Sequence, residues 1–501
     1  MRAARAGAAA ARQALARAGA RAGPSPASPW VASLLPRTTP GLDETRWYAT
    51  WAVSAGNGDH GRLGHGPSGS GDHALGLSSA RFGVVRLPVD AVAASAGGAH
   101  TVLVGADGAV YTCGLNDFGQ LGHSFGAATT SCAVPRKVEG LPEHDPVVAA
   151  AAGHFHTLCL TRGGEVWAFG RNDRAQCGLG AGAGPAAPTP RWLASLSPDA
   201  PGGDDRGPVA AVAAGPRHSI AVTANGAVFS WGADFEGCLG HGGHEPSRSH
   251  GGDESRSFWR SAADSLARFA SRSHRDASSP RLLRALADAG VKAVSPSCGD
   301  AHSLVLDADG TLHAFGQGRF NQLGVGAERD VAWLETPTPV AIPPELLLGG
   351  GVARASAGGN FNVAVTRDGG LISWGANGNG ECGGGAEDDG RRDRPRAVRR
   401  PSDPRTNRPV SFASAAAGWR HAAATTRDGR LYAWGWGGSA GQHWEDAFTT
   451  GGQLGVGDGQ VDFWEPTRVP GIGSGNGAPR ATSVSCGFNH TAAIVSDDAD
   501  A

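Results

Sequence analysis

Six histidines recur in one setting. His100, His156, His218, His302, His421 and His490 each stand three residues after a glycine, and five of them precede Thr or Ser. Imidazoles gathered in this way are material for a metal site. The seventh copy of the setting carries Phe361, which ligates nothing, and catalytic groups rarely recur once per repeat. A structural role is therefore expected, each ring bonding backbone where a strand begins. His241-Gly-Gly-His244, with His250, Asp253 and Glu254 beyond it, has the donor types of a zinc site. It lies in a Gly/Ser/Arg-rich stretch and reads better as a loop. Gly56-Asn-Gly-Asp-His-Gly61 fits a dinucleotide-binding pattern, but no helix or strand–helix–strand unit follows, so it reads as a turn. No nucleophile–base pair is visible. No catalytic, cofactor-binding or metal residue is assigned, and no cofactor is expected.

Two stretches have the chemistry of binding rather than catalysis. Between 241 and 285, Phe258, Trp259, Ala262, Leu266 and Phe269 recur near helical spacing with arginines between them, Arg260 among them. This suggests an amphipathic basic helix and makes Phe258, Trp259, Arg260 and Phe269 candidate partner-binding residues, the alternative being a helix that caps its own propeller face, or disorder. Residues 391–408 hold eight Arg against two Asp. Arg391, Arg392, Arg394, Arg396, Arg399 and Arg400 suit phosphate, so the stretch reads either as a loop that meets RNA or anionic lipid or as a solvated loop with no partner. No aromatics are interleaved for base stacking.

The rest of the composition narrows the field. The 501 residues include 79 Gly and 14 Trp, with 40% hydrophobic residues and a formal net charge of −2. That is too apolar for a disordered chain and too balanced for bulk charge to name a nucleic-acid partner. The only lysines are Lys137 and Lys292, neither preceded by Gly, which excludes a Walker-type phosphate loop. No apolar run approaches membrane-spanning length. The eight Cys form no C-x-x-C pair and fit buried thiols in a reducing compartment. Residues 1–42 carry six Arg and no acid, are rich in Ala, and lead to Arg46-Trp47-Tyr48-Ala49. That is the pattern of a mitochondrial presequence over 1–48 with the mature start at Ala49; a plastid or nuclear location is the alternative.

The elements that position these residues are repeated. Anchor glycines stand at 97, 153, 215, 299, 358, 418 and 487, and the first six are followed 17 residues later by a second glycine at 114, 170, 232, 316, 375 and 435. Between them lie an apolar run, a turn pair such as Asp107-Gly108 or Asn225-Gly226, and a run with aromatic alternation such as Val228-Phe-Ser-Trp231. This is a β-hairpin. A third glycine follows, as in Gly119-Gln-Leu-Gly122. The sequence opens with the back half of a unit at 56–64 and closes with a front half at 485–495. Joined, they make the seventh, so an all-β seven-bladed propeller closed by its terminal segments is expected.

The Ala-Gly-x-x-His-Thr/Ser anchor, Asp-Gly turn, Trp-Gly strand end and Gly-Gln-Leu-Gly tail resemble the regulator-of-chromosome-condensation repeat family over residues 51–497. The domain reading is a presequence over 1–48, a propeller over 49–497 with insertions at about 241–285, 384–410 and 439–450, and a tail over 498–501. Anchor positions Gly97, His100, Gly153, His156, Gly215, His218, Gly299, His302, Gly358, Gly418, His421, Gly487 and His490 are expected to be structural. The resemblance implies a monomeric, non-catalytic interaction scaffold, closest in character to mitochondrial members and acting in mitochondrial ribosome assembly or organellar RNA processing. Its alternative implication is guanine-nucleotide exchange on a small or mitochondrial GTPase, with 241–285 as the wedge. One relative senses ultraviolet light through Gly-Trp-Arg-His-Thr motifs on successive blades. Only Gly418-Trp-Arg-His421 matches here, so a coupled Trp cluster is not expected.

Overall fold

A computed structural model of the protein describes residues 49–66, 78–123, 130–200, 207–242, 276–326, 331–388, 390, 392–438, 451–457, 461–473 and 477–497. They form seven four-stranded antiparallel sheets, each running from an inner to an outer strand. Blade 1, anchored at Gly97, shows the pattern: inner strand Ala91–Ala96, then His100–Gly105, Val110–Leu115 and outer Ser131–Lys137. Blades 2 to 7 follow their anchors Gly153, Gly215, Gly299, Gly358, Gly418 and Gly487. The inner strands are built of small residues, as in Val147–Ala152, because seven of them converge on one axis.

Blade 7 is composite. Thr50–Gly56 pairs with His490–Ser496 in an unbroken register from Thr50↔Ser496 to Gly56↔His490. The N-terminal piece thus supplies the third and outer strands and the C-terminal piece the inner two, which closes the ring.

The second and third strands of each blade are buried on both faces, so both must be apolar. The core is accordingly divided into seven clusters, one in each seam between neighbouring blades. Leu158, Val166, Trp231 and Leu239 fill the seam of blades 2 and 3, and Phe361, Ala422, Tyr432 and Trp434 that of blades 5 and 6.

Two spans read as insertions are narrower than expected. Ala277–Leu282 is the outer strand of blade 3, and Arg392–Ala397 that of blade 5. Neither stretch has the apolar alternation of a strand, because an outer strand covers little core.

Candidate interaction face

The anchor histidines are at most 1% exposed, and they do not bond backbone as expected. Each Nε2 reaches the residue after the anchor position of the next blade, which is histidine in every case but Phe361. His100 meets Thr157 Oγ1 at 3.0 Å, His156 meets Ser219 Oγ at 2.9 Å, and His218 meets Ser303 Oγ at 3.0 Å. His302 meets Asn362 Oδ1 at 2.8 Å, His421 meets Thr491 Oγ1 at 2.9 Å, and His490 meets Thr101 Oγ1 at 2.9 Å across the closure. Each hydroxyl donates its one proton to a carbonyl of the blade before it, as Thr157 does to Gln120 O and Ser219 to Gln176 O. The hydroxyl must therefore accept from the ring, which fixes the proton on Nε2. Burial holds the rings neutral, pushing His100, His156, His218 and His421 down to about 3. Among the described residues no group of His, Cys, Asp and Glu is arranged to hold a metal ion.

A second pairing lies further out. Ser54, Thr112 and Ser230 on third strands meet His65, His123 and His241, each 11 residues on. In blade 5 that position is Gly384, and Arg392 takes the space. Its Nη1 donates to Ser373 Oγ at 2.8 Å and its Nη2 pairs with Asp388. Arg392 is 1% exposed, so its place as a partner-binding residue is corrected: it is a buried structural cation. Three other arginines of this stretch are exposed but answered by acids. Arg394 lies near Asp393, Arg396 near Asp388 and Asp393, and Arg399 bonds Glu465 at 2.7 Å. Arg400 is half-buried. Phe258, Trp259, Arg260, Phe269 and Arg391 lie outside the described residues, as do His244, His250, Asp253 and Glu254.

The loops that follow the inner and third strands emerge at one end of the axis. There the two residues between anchor glycine and histidine form a surface that the repeat pattern did not single out. His154 and Phe155 of blade 2 stack at 4.4 Å, His154 and Phe488 of blade 7 at 5.2 Å, and Phe488 and Trp419 of blade 6 at 4.0 Å, with planes within 18°. Arg420 lies over Trp419 at 4.1 Å, and Arg171 over Phe155 at 5.8 Å, so a guanidinium stands at each end of the ladder. His154 crosses blade 1 because blade 1 has Gly98 there; a Cβ on Gly98 would sit 1.8 Å from His154 Cδ2. Trp419 also meets Trp436 edge-on at 5.9 Å. A tryptophan pair therefore exists despite the single motif, because the second ring comes from the end of a third strand and not from a neighbouring anchor. His154, Phe155, Phe488, Trp419 and Arg420 are half-buried, so their edges are open to a partner. The signal was present in the sequence: the two variable positions of the anchor are aromatic or charged in several blades, where a purely structural turn needs neither.

The architecture is that of a seven-bladed β-propeller whose blades are latched by anchor side chains. The chain belongs to the RCC1-like family, whose domain model matches residues 52–493. It is 28% identical over 410 residues to the Ultraviolet-B receptor UVR8 of Arabidopsis thaliana, covering 81% of this chain and 74% of that protein. It is 29% identical over 401 residues to the E3 ubiquitin-protein ligase HERC2 of Homo sapiens, covering 79% of this chain but only 7% of that much longer protein. The crystal structure of human WBSCR16 superposes with a TM-score of 0.68 at 22% identity, covering 89% of this chain and 99% of that one. That of Prp20p from Saccharomyces cerevisiae, described with its binding properties to Gsp1p and histones, gives 0.66 at 21%, covering 90% and 92%. Both share the fold.

Proposed function

We propose that this propeller is a non-catalytic interaction scaffold of the mitochondrion, serving ribosome assembly or organellar RNA processing, and that partners dock on the axial aromatic face. The observation that carries the docking claim is the ladder from Phe155 through His154 and Phe488 to Trp419, capped by Arg420. Aromatic and arginine side chains packed at the centre of a broad face are the composition of binding hot spots. A rigid scaffold that presents them on short loops loses little entropy on binding. The mitochondrial address rests on the acid-free, Arg-rich residues 1–42 and the Arg46-Trp47-Tyr48-Ala49 step.

Affinity purification of the C-terminally tagged protein from mitochondria tests this reading. Ribosomal proteins, assembly factors or rRNA retained through a wash with GTP and Mg²⁺ is the expected result. A GTPase released by that wash would replace the scaffold with nucleotide exchange, since an exchange factor binds the nucleotide-free state best. Absence of the protein from mitochondria would overturn the address.

A further inference from the structure

The groove between blades 3 and 4 holds a cavity of about 270 Å³ whose described lining is Gly240, His241, Arg281, Leu282, Arg284 and Ala285. Three of the six are basic types and none is acidic. Arg281 stands opposite Ser230 in the strand pairing, and Ser230 Oγ meets His241 Nε2 at 3.1 Å, so the arginine and the histidine flank one hydroxyl. Arg284 follows three residues on and is exposed.

The repeat supplies its own comparison. In blade 5 the same two positions are also arginine: Arg396 stands opposite Ser373, and Arg399 follows three residues on. There both are answered within the fold, Arg396 by Asp388 and Asp393 and Arg399 by Glu465. In blade 3, among the described residues, neither Arg281 nor Arg284 has a carboxylate within ion-pair distance. One blade carries the pair with its counter-charge built in. The other carries it beside an open cavity.

We propose that the blade 3–4 groove is an oxyanion site, taking a phosphate monoester or inorganic phosphate between the guanidinium groups of Arg281 and Arg284. Two planar donor forks suit a tetrahedral oxyanion, and the cavity has room for phosphate and a short substituent. The site is separate from the axial face and stands whatever docks there.

Titration calorimetry on the full chain, at ionic strength fixed with chloride, tests it. The probes are inorganic phosphate and O-phosphoserine. Saturable binding is expected, weakened at least tenfold in Arg281→Gln/Arg284→Gln and unchanged in Arg396→Gln/Arg399→Gln. Tighter binding of O-phosphoserine would assign a phosphorylated side chain as the ligand, and equal binding would assign the free anion; each supports the site. Because Arg281 and Arg284 are exposed, an unchanged thermal midpoint should show that the variant is folded. No saturable heat, or equal affinity in the blade 3 variant, would overturn the proposal.

Discussion

Phe361 and Ala422 depart from their counterparts together. Six seams are latched by a buried ring nitrogen on a side-chain acceptor of the next blade; the seam of blades 5 and 6 has neither partner and is apolar instead. A histidine facing Ala422 would bury an unanswered ring donor, whereas a threonine at 422 would still have a carbonyl of the blade before it to donate to, as its counterparts do. Phe361→His alone should cost about 1–3 kcal/mol. Adding Ala422→Thr should recover part of that loss, with a favourable coupling of about 0.5–3 kcal/mol in a denaturation cycle. The latch also sets a pH dependence. In the folded state His100, His156, His218, His302 and His421 titrate only near 3 to 4, and burial lowers His490 as well, while unfolded they all titrate near 6.5. Above pH 6.5 both states are neutral there and the rings add no pH dependence. As pH falls below 6.5 the unfolded state takes up protons that the folded state refuses. Stability should then drop, by up to about 1.4 kcal/mol per pH unit for each ring. Urea denaturation at pH 7 and pH 5 should show a lower midpoint at pH 5; an equal or higher one would contradict the account. Buried Arg392 is a third case: Arg392→Gln leaves Asp388 only the looser 3.9 Å contact with exposed Arg396 and should cost roughly 3 kcal/mol, read from the same denaturation.

At the scale of the blade, the spacing of 17 has a geometric meaning. The second glycine falls opposite the anchor side chain in the hairpin register: His100↔Gly114, His156↔Gly170, Phe361↔Gly375. Gly114 has φ +114°, and a Cβ there would lie 2.4 Å from Ala99 O. Gly114→Ala should therefore destabilise blade 1 by about 1–3 kcal/mol or more, measurable as a lowered thermal midpoint. These backbone demands are why so much of the fold was legible. Glycines that cannot be replaced, and turns that need Asp-Gly, leave fixed marks on the chain. Outer strands make no such demand, which is why Ala277–Leu282 and Arg392–Ala397 were read as insertions. The candidate face was less legible for a related reason. The ladder joins Phe155, Phe488 and Trp419 from three blades far apart in sequence, through a gap made by Gly98, and no spacing within one repeat encodes that meeting. The burial of Arg392 leaves no mark in the sequence, because an arginine-rich run looks alike whether a member faces water or replaces a missing histidine.

At the scale of the whole ring, closure depends on Thr50–Gly56 pairing with His490–Ser496. Removing residues 49–85 would leave two strands of blade 7 with an open edge, and the truncated chain should lose its monodisperse profile in size-exclusion chromatography. The closed ring serves to hold loops of separate blades in fixed relation, and the axial ladder is what that relation produces. Its docking role is tested most directly by comparing partner capture by the wild type and by Trp419→Ser/Arg420→Ser, with the thermal midpoints of both recorded. The account predicts that the variant loses its co-purified partners while its midpoint falls by no more than a few degrees, because both side chains are half-exposed at the face. Undiminished capture by a folded variant would contradict it.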